Sequence, residues 1–150
     1  MQEITVKIKK APHFEGNELP HYASEHAAGM DVRAAIKEPI TISPGERKMI
    51  PTGLHFELPV GYEMQLRPRS GLALKHGISM VNTPGTLDAD YRGELNILLI
   101  NHGKETWTCT PNERIAQMIF APVTRAKLEL VEELTETQRG TGGFGSTGKH

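Results

Sequence analysis

The sequence has one cysteine, Cys109, in 150 residues. No internal disulfide can form, and a reducing, cytoplasmic setting is expected. No apolar run is long enough to cross a bilayer, so no membrane partner is expected. The opening residues Met1-Gln-Glu-Ile-Thr-Val-Lys alternate and lack the apolar stretch of a leader peptide. Positive charge is not in surplus either: the formal net charge is −1, and the cations are scattered. That argues against a nucleic-acid polymer as the main partner, because such binders present a basic face. A small anion is still allowed, since it needs only a few placed cations. No His-x-x-x-His and no cysteine pair offers a metal spacing. Helical periodicity is scarce as well.

What the chain does contain is a series of short segments bounded by turns. Glu3–Lys9 sets Ile4, Val6 and Ile8 against Thr5, Lys7 and Lys9, the pattern of a half-buried strand. Met30–Ile36 reads as a second strand. Ile40–Ile42 and Lys48–Ile50 flank Ser43-Pro-Gly-Glu46, which reads as a hairpin turn. Gly53–Leu58, Tyr62–Leu66, Ile78–Val81, Leu95–Ile100, Trp107–Cys109, Arg114–Phe120 and Lys127–Val131 complete the strands. Ser70–His76 is the one short helix, with Ser70 placed to cap it and Gly77 to end it. Strands at this spacing predict an all-β sandwich or barrel. The length suits one domain with its own core. The Gly-rich end has almost no apolar mass and cannot fold alone. The expected division is therefore a core over residues 1–134 and a flexible arm over 135–150.

One stretch carries more chemistry than its shape requires. Asn82-Thr-Pro-Gly-Thr-Leu-Asp-Ala-Asp-Tyr-Arg-Gly-Glu94 lies between Ile78–Val81 and Leu95–Ile100, and Pro84-Gly85 marks a turn leading into a hairpin. Turns need Gly, Pro, Asn and Asp for shape; they do not need Tyr91-Arg92. A solvated loop accounts for Asp88 or Asp90 singly, and poorly for the whole set. Arg67-Pro-Arg-Ser-Gly71 places Arg69 beside the N–H groups of Ser70 and Gly71, an arrangement that suits an anion. A plain helix start with a surface arginine accounts for it equally well. Asp31, in Ala28-Gly-Met-Asp31, reads alone as a turn or cap residue. In Arg114-Ile-Ala-Gln-Met118, alternation puts Arg114, Ala116 and Met118 on one face and Ile115 and Gln117 on the other. Gln117 is then a surface residue or a ligand donor. The tail Gly143-Phe-Gly-Ser-Thr-Gly-Lys-His150 nearly spells a phosphate loop, but His150 stands where Ser or Thr is needed and no helix follows. Its glycine N–H groups can still wrap a phosphate, and Phe144 can stack on a base. A disordered tail is the plainer alternative.

These five pieces, in this order, resemble the five motifs of the homotrimeric dUTPase (dUTP diphosphatase) family. The matching residues are Ala28–Ala34, Arg67–Ala73, Asn82–Gly93, Arg114–Met118 and Arg139–Gly148, and the resemblance spans nearly the whole chain. It implies a jelly-roll-like β-barrel, the dUTPase-like β-clip, with three sites between subunits and the arm of one chain closing over a site of its neighbours. It implies hydrolysis of dUTP to dUMP and pyrophosphate, which keeps uracil out of DNA and supplies dUMP for dTMP synthesis. Asp88 is then the catalytic residue, deprotonating a water that attacks the α-phosphorus. Mg2+ is the implied cofactor, held mainly by substrate phosphates, with Asp31 reaching it only through water. Arg69, Ser70 and Gly71 are implied phosphate contacts from the neighbouring subunit. Gln117, Arg139, Gly145 and Ser146 hold the outer phosphates. Asn82 and the backbone at Thr86, Leu87 and Asn96 match uracil, Tyr91 lies against the deoxyribose, and Phe144 covers the base. A dCTP deaminase shares the fold, but its base pattern is not found here. A binding protein that has lost catalysis is disfavoured by Asp88, Tyr91 and Phe144.

Overall fold

Ten strands and one helix appear in the computed structural model, which describes residues 1–16 and 18–150. In chain order they are β1 (Lys7–Lys10), β2 (Met30–Arg33), β3 (Ile40–Ile42), β4 (Arg47–Glu57), β5 (Tyr62–Arg67), α1 (Ser70–His76), β6 (Ile78–Met80), β7 (Gly85–Leu87), β8 (Glu94–Asn101), β9 (Trp107–Cys109) and β10 (Arg114–Pro122). They form two four-stranded sheets, β1-β4-β8-β6 and β2-β10-β5-β7, and a two-stranded one, β3-β9. The fold is all-β and jelly-roll-like, and the sheets are not joined into a closed hydrogen-bonded barrel. Among the described residues no helix is long and apolar enough to cross a membrane.

The alternation of β8 explains the layering. Leu95, Ile97, Leu99 and Asn101 point inward, and the residues between them are half-buried. Ile50, Leu54 and Phe56 of β4 meet them, as do Val32, Met64, Leu66, Ile115 and Met118 from the second sheet. One core thus lies between two sheets, and each fully buried Ile, Leu or Met contributes about 1.5–3 kcal/mol. Cys109 belongs to this core; burial first, and Glu113 second, push its thiol up to about 12. It stays protonated at neutral pH and is chemically inert there.

Asn101 is the polar member of the core. Its Nδ2 donates to Ile42 O and Glu105 O, both at 2.8 Å, and its Oδ1 accepts from Gly103 N at 2.8 Å. Asn101→Ala leaves three main-chain groups without this partner. At about 1–3 kcal/mol for each unmatched buried group, the loss should reach at least about 3 kcal/mol. Urea unfolding of the variant against the parent measures it.

Several segments differ from the alternation reading, each for a physical reason. The expected first strand is shortened to Lys7–Lys10, and Ile8 is exposed. Lys48–Ile50 and Gly53–Leu58 are one strand, β4, interrupted by a register shift between Pro51 and His55. Gly53 sits there with φ +69°, inside the irregularity. Ser43–Glu46 does turn, but β3 pairs with β9 while β4 pairs with β1 and β8, so no hairpin forms. A similar shift between Arg114 and Ala116 breaks the expected alternation in β10 and buries Ile115 and Ala116 together. Arg69, not Ser70, takes the N-cap position, with no side-chain cap; Gly77 ends the helix at φ +68° as expected. Lys127–Val131 forms no strand, and Leu128 and Leu130 are 92% and 100% exposed. A strand needs a hydrogen-bonding neighbour, and this chain gives that segment none among the described residues.

Candidate active site

The second sheet brings three of the marked residues into one row. Asp31 on β2 faces Gln117 on β10, and Gln117 faces Arg67 on β5. Asp31 is the centre of charge. Arg69 Nε stands 3.3 Å from its Oδ1, and Arg114 Nη1 stands 3.2 Å from its Oδ2. Arg69 also donates to Arg114 O at 3.1 Å, so both guanidiniums are held on one carboxylate and Arg69 is tied to β10 as well. Gln117 Nε2 donates to Pro68 O at 3.0 Å, tying β10 to the turn before α1. Gly29 makes room for this amide: a Cβ there would lie 3.0 Å from Gln117 Oε1 and 3.2 Å from Met118 O. Ser70 and Gly71 open the helix, both exposed, where N–H groups have no acceptor within the helix. Two guanidiniums are thus held on one acid beside the open N–H groups of Ser70 and Gly71, a surface suited to a polyanion. Motif order alone assigns Arg114 no partner; its contact with Asp31 spans 83 residues.

The hairpin residues form a second group. Gly85–Leu87 crosses to pair with β5, opposite Leu66, Gln65 and Met64, while β6 and β8 pair in the other sheet. The loop therefore bridges both sheets. Leu87 is buried; Thr86, Asn82 and Asp88 are exposed. Asp88 O accepts from Tyr91 N at 3.2 Å, and Arg92 Nη1 donates to Ala89 O at 2.7 Å. Main-chain contacts and Arg92 fix the turn, and the Asp88 carboxylate is left facing solvent. Tyr91 OH donates to Glu94 O at 3.0 Å, as does Asn96 Nδ2 at 3.2 Å. A Cβ at Gly93 would run into the Tyr91 phenol, so any side chain there would push the ring aside.

The two groups do not meet within the chain. Asp88 follows Leu87, which faces Met64, so roughly 13 Å of strand separates it from the Asp31–Gln117–Arg67 row. The arm residues form a third group. Arg139 Nε donates to Gly142 O at 2.8 Å, Ser146 N to Gly143 O at 3.1 Å and Gly148 N to Gly145 O at 3.0 Å. Phe144, at φ +52°, is fully exposed. Among the described residues the arm's hydrogen bonds run within the arm.

The donor chemistry also bears on Mg2+. Among the described residues no cluster of three or more His, Cys, Asp or Glu can cage a metal ion. Asp31 is a single acid already shared by two arginines. Such a site fits a Mg2+ that keeps waters and takes most of its ligands from phosphate oxygens.

A jelly-roll-like body of the β-clip class thus carries a polyanion-suited surface at one end of a sheet and an exposed acid on a bridging hairpin. The dUTPase family model matches residues 16–148. The chain is 58% identical over 149 residues to the deoxyuridine 5'-triphosphate nucleotidohydrolase of Bdellovibrio bacteriovorus, covering 99% of each. It is 58% identical over 150 residues to the enzyme of that name from Maricaulis maris, again covering 99% of each. Among solved structures, the dUTPase of Staphylococcus bacteriophage 80alpha, solved with dUPNHPP, superposes with a TM-score of 0.86 at 26% identity, over 97% of this chain and 99% of that one. The chain belongs to the dUTPase family.

Proposed function

We propose that this chain hydrolyses dUTP to dUMP and pyrophosphate, with Asp88 holding and deprotonating the water that attacks the α-phosphorus. The observation that carries the reading is the match to dUTPases along the whole chain, with Asp88 exposed on a turn whose shape other groups maintain. A solvent-facing carboxylate is a weak base, so positioning and electrostatic stabilisation carry most of the rate. Arg69, the N–H groups of Ser70 and Gly71, and Gln117 bind phosphate oxygens; Arg139, Gly145 and Ser146 add donors from the arm. Asp31 would hold Mg2+ through water, and the ion would neutralise part of the triphosphate charge. Asn82 and the main chain at Thr86, Leu87 and Asn96 read uracil. Cytosine reverses the pattern at position 4 and would leave buried groups unpaired, which is where large discrimination arises. Tyr91 rejects a 2′-hydroxyl, and Phe144 covers the base.

The working form is a homotrimer with sites between subunits. Support comes from the distance between Asp88 and the Arg69 group, which one chain does not close. Further support comes from Leu128, Leu130 and Leu134, more than four-fifths exposed on a segment with no strand partner. Residues 1–134 act as the body and 135–150 as the arm. The single cysteine fits a cytoplasmic setting.

The test is to incubate the purified protein with Mg2+ and each of dUTP, dCTP, dTTP and UTP, then separate the products. Formation of dUMP and pyrophosphate from dUTP alone is expected. Deamination of dCTP, or binding of dUTP with no turnover of any nucleotide, contradicts the reading.

A further inference from the structure

Glu94 closes the hairpin, and its side chain has no part in the mechanism above. Its carboxylate is nonetheless heavily used. Oε1 accepts from Gly53 N at 2.7 Å and from His13 Nε2 at 2.5 Å. Only 21% of the Glu94 side chain is exposed. Gly53 is itself a junction. It lies in the β4 irregularity with φ +69°, and its C=O accepts from Ala11 N at 2.8 Å. Phe14 packs so closely over it that a Cβ there would lie 2.9 Å from Phe14 Cβ. The Glu94 carboxylate thus fastens the end of the hairpin to the point where β4 and the Ala11–Phe14 loop meet. On its main-chain side the same residue holds two site residues, because its C=O accepts from Tyr91 OH and Asn96 Nδ2. Two residues before Glu94, Arg92 O accepts from His55 Nδ1 at 2.9 Å.

We infer that Glu94 is a positioning residue for sugar selectivity: its carboxylate, clamped by His13 and the Gly53 N–H, fixes the carbonyl that sets the Tyr91 ring. The inference rests on the proposed role of Tyr91 against the deoxyribose. Tyr91 can exclude a 2′-hydroxyl only while its ring is held in place, and a misplacement of about 1 Å is enough to change rates by about a hundredfold. Loosening the clamp should therefore act on dUTP more than on UTP.

The experiment measures kcat/KM for dUTP and UTP in the parent, Glu94→Ala, Glu94→Gln and His13→Ala. Glu94→Ala should lower the dUTP-to-UTP ratio about tenfold. Glu94→Gln keeps an oxygen that accepts from both partners and should stay within about twofold of the parent. His13→Ala removes one partner and should fall between them, which keeps the test decisive if Glu94→Ala folds poorly. Amide exchange of Gly53, faster in Glu94→Ala and unchanged in Glu94→Gln, follows the clamp independently of turnover. A plain stabilising role lowers both substrates together; an unchanged ratio in Glu94→Ala and His13→Ala overturns the inference. A parent that turns over neither nucleotide overturns the functional reading itself, and this use of the clamp with it.

Discussion

Replacing Asp88 by Asn should lower kcat for dUTP by about a thousandfold and leave dUTP binding within about twofold. Removal of a positioned general base costs about 10²–10⁴ in rate, and the Asn amide cannot take the proton from water. The substitution is nearly isosteric, and the turn does not depend on the carboxylate. Its shape rests on the Asp88 O to Tyr91 N contact, on Arg92 reaching Ala89 O, and on Tyr91 reaching Glu94 O. Binding should also survive because the donors for phosphate and base lie elsewhere, in the Arg69 group and along the hairpin main chain. Single-turnover kinetics beside calorimetric titration separate the two effects. A variant that turns over like the parent removes Asp88 from the mechanism.

Deleting residues 135–150 should lower kcat/KM for dUTP by about a hundredfold or more with little change in Tm. The body does not need the arm. Its last strand ends at Pro122, and the core contains no residue beyond Phe120. The arm's own hydrogen bonds, Arg139 to Gly142 and Ser146 to Gly143, are local. What is lost is chemical: one guanidinium, several glycine N–H donors and the only large apolar side chain of the segment, Phe144. A closing segment of this kind excludes water and completes the donor set. Ordering it costs conformational entropy, so it should order only when a ligand supplies the contacts. Thermal unfolding and steady-state kinetics on the same preparation give both readings. A Tm lowered by several degrees would mean that the arm is structural.

The parts of the fold that local chemistry controls were legible, and those set by distant pairing were not. The helix 70–76 and strands β3 and β9 stand where punctuation and alternation put them. Lys48–Ile50 and Gly53–Leu58 read as two strands because alternation breaks between them, and a broken alternation looks the same in sequence whether the strand ends or bulges. Ser43–Glu46 misled because a turn does not state whether its flanking strands join each other or separate sheets. Residues 127–131 alternate as a strand should, yet alternation does not provide a partner. For the candidate site, motif order marked Asp31, Arg69, Gln117 and the hairpin. It did not reveal that Arg114 returns to Asp31, or that His13 and Gly53 hold Glu94, because those contacts span 83, 81 and 41 residues. Glu94 closes a stretch already marked for its chemistry, and that was the one available signal.

The most direct test of water attack at the α-phosphorus is hydrolysis of dUTP in 18O-labelled water with Mg2+, followed by mass analysis of both products. Attack at the α-phosphorus places the label in dUMP and none in pyrophosphate. Label in pyrophosphate would put the attack on the β-phosphorus and contradict the role assigned to Asp88.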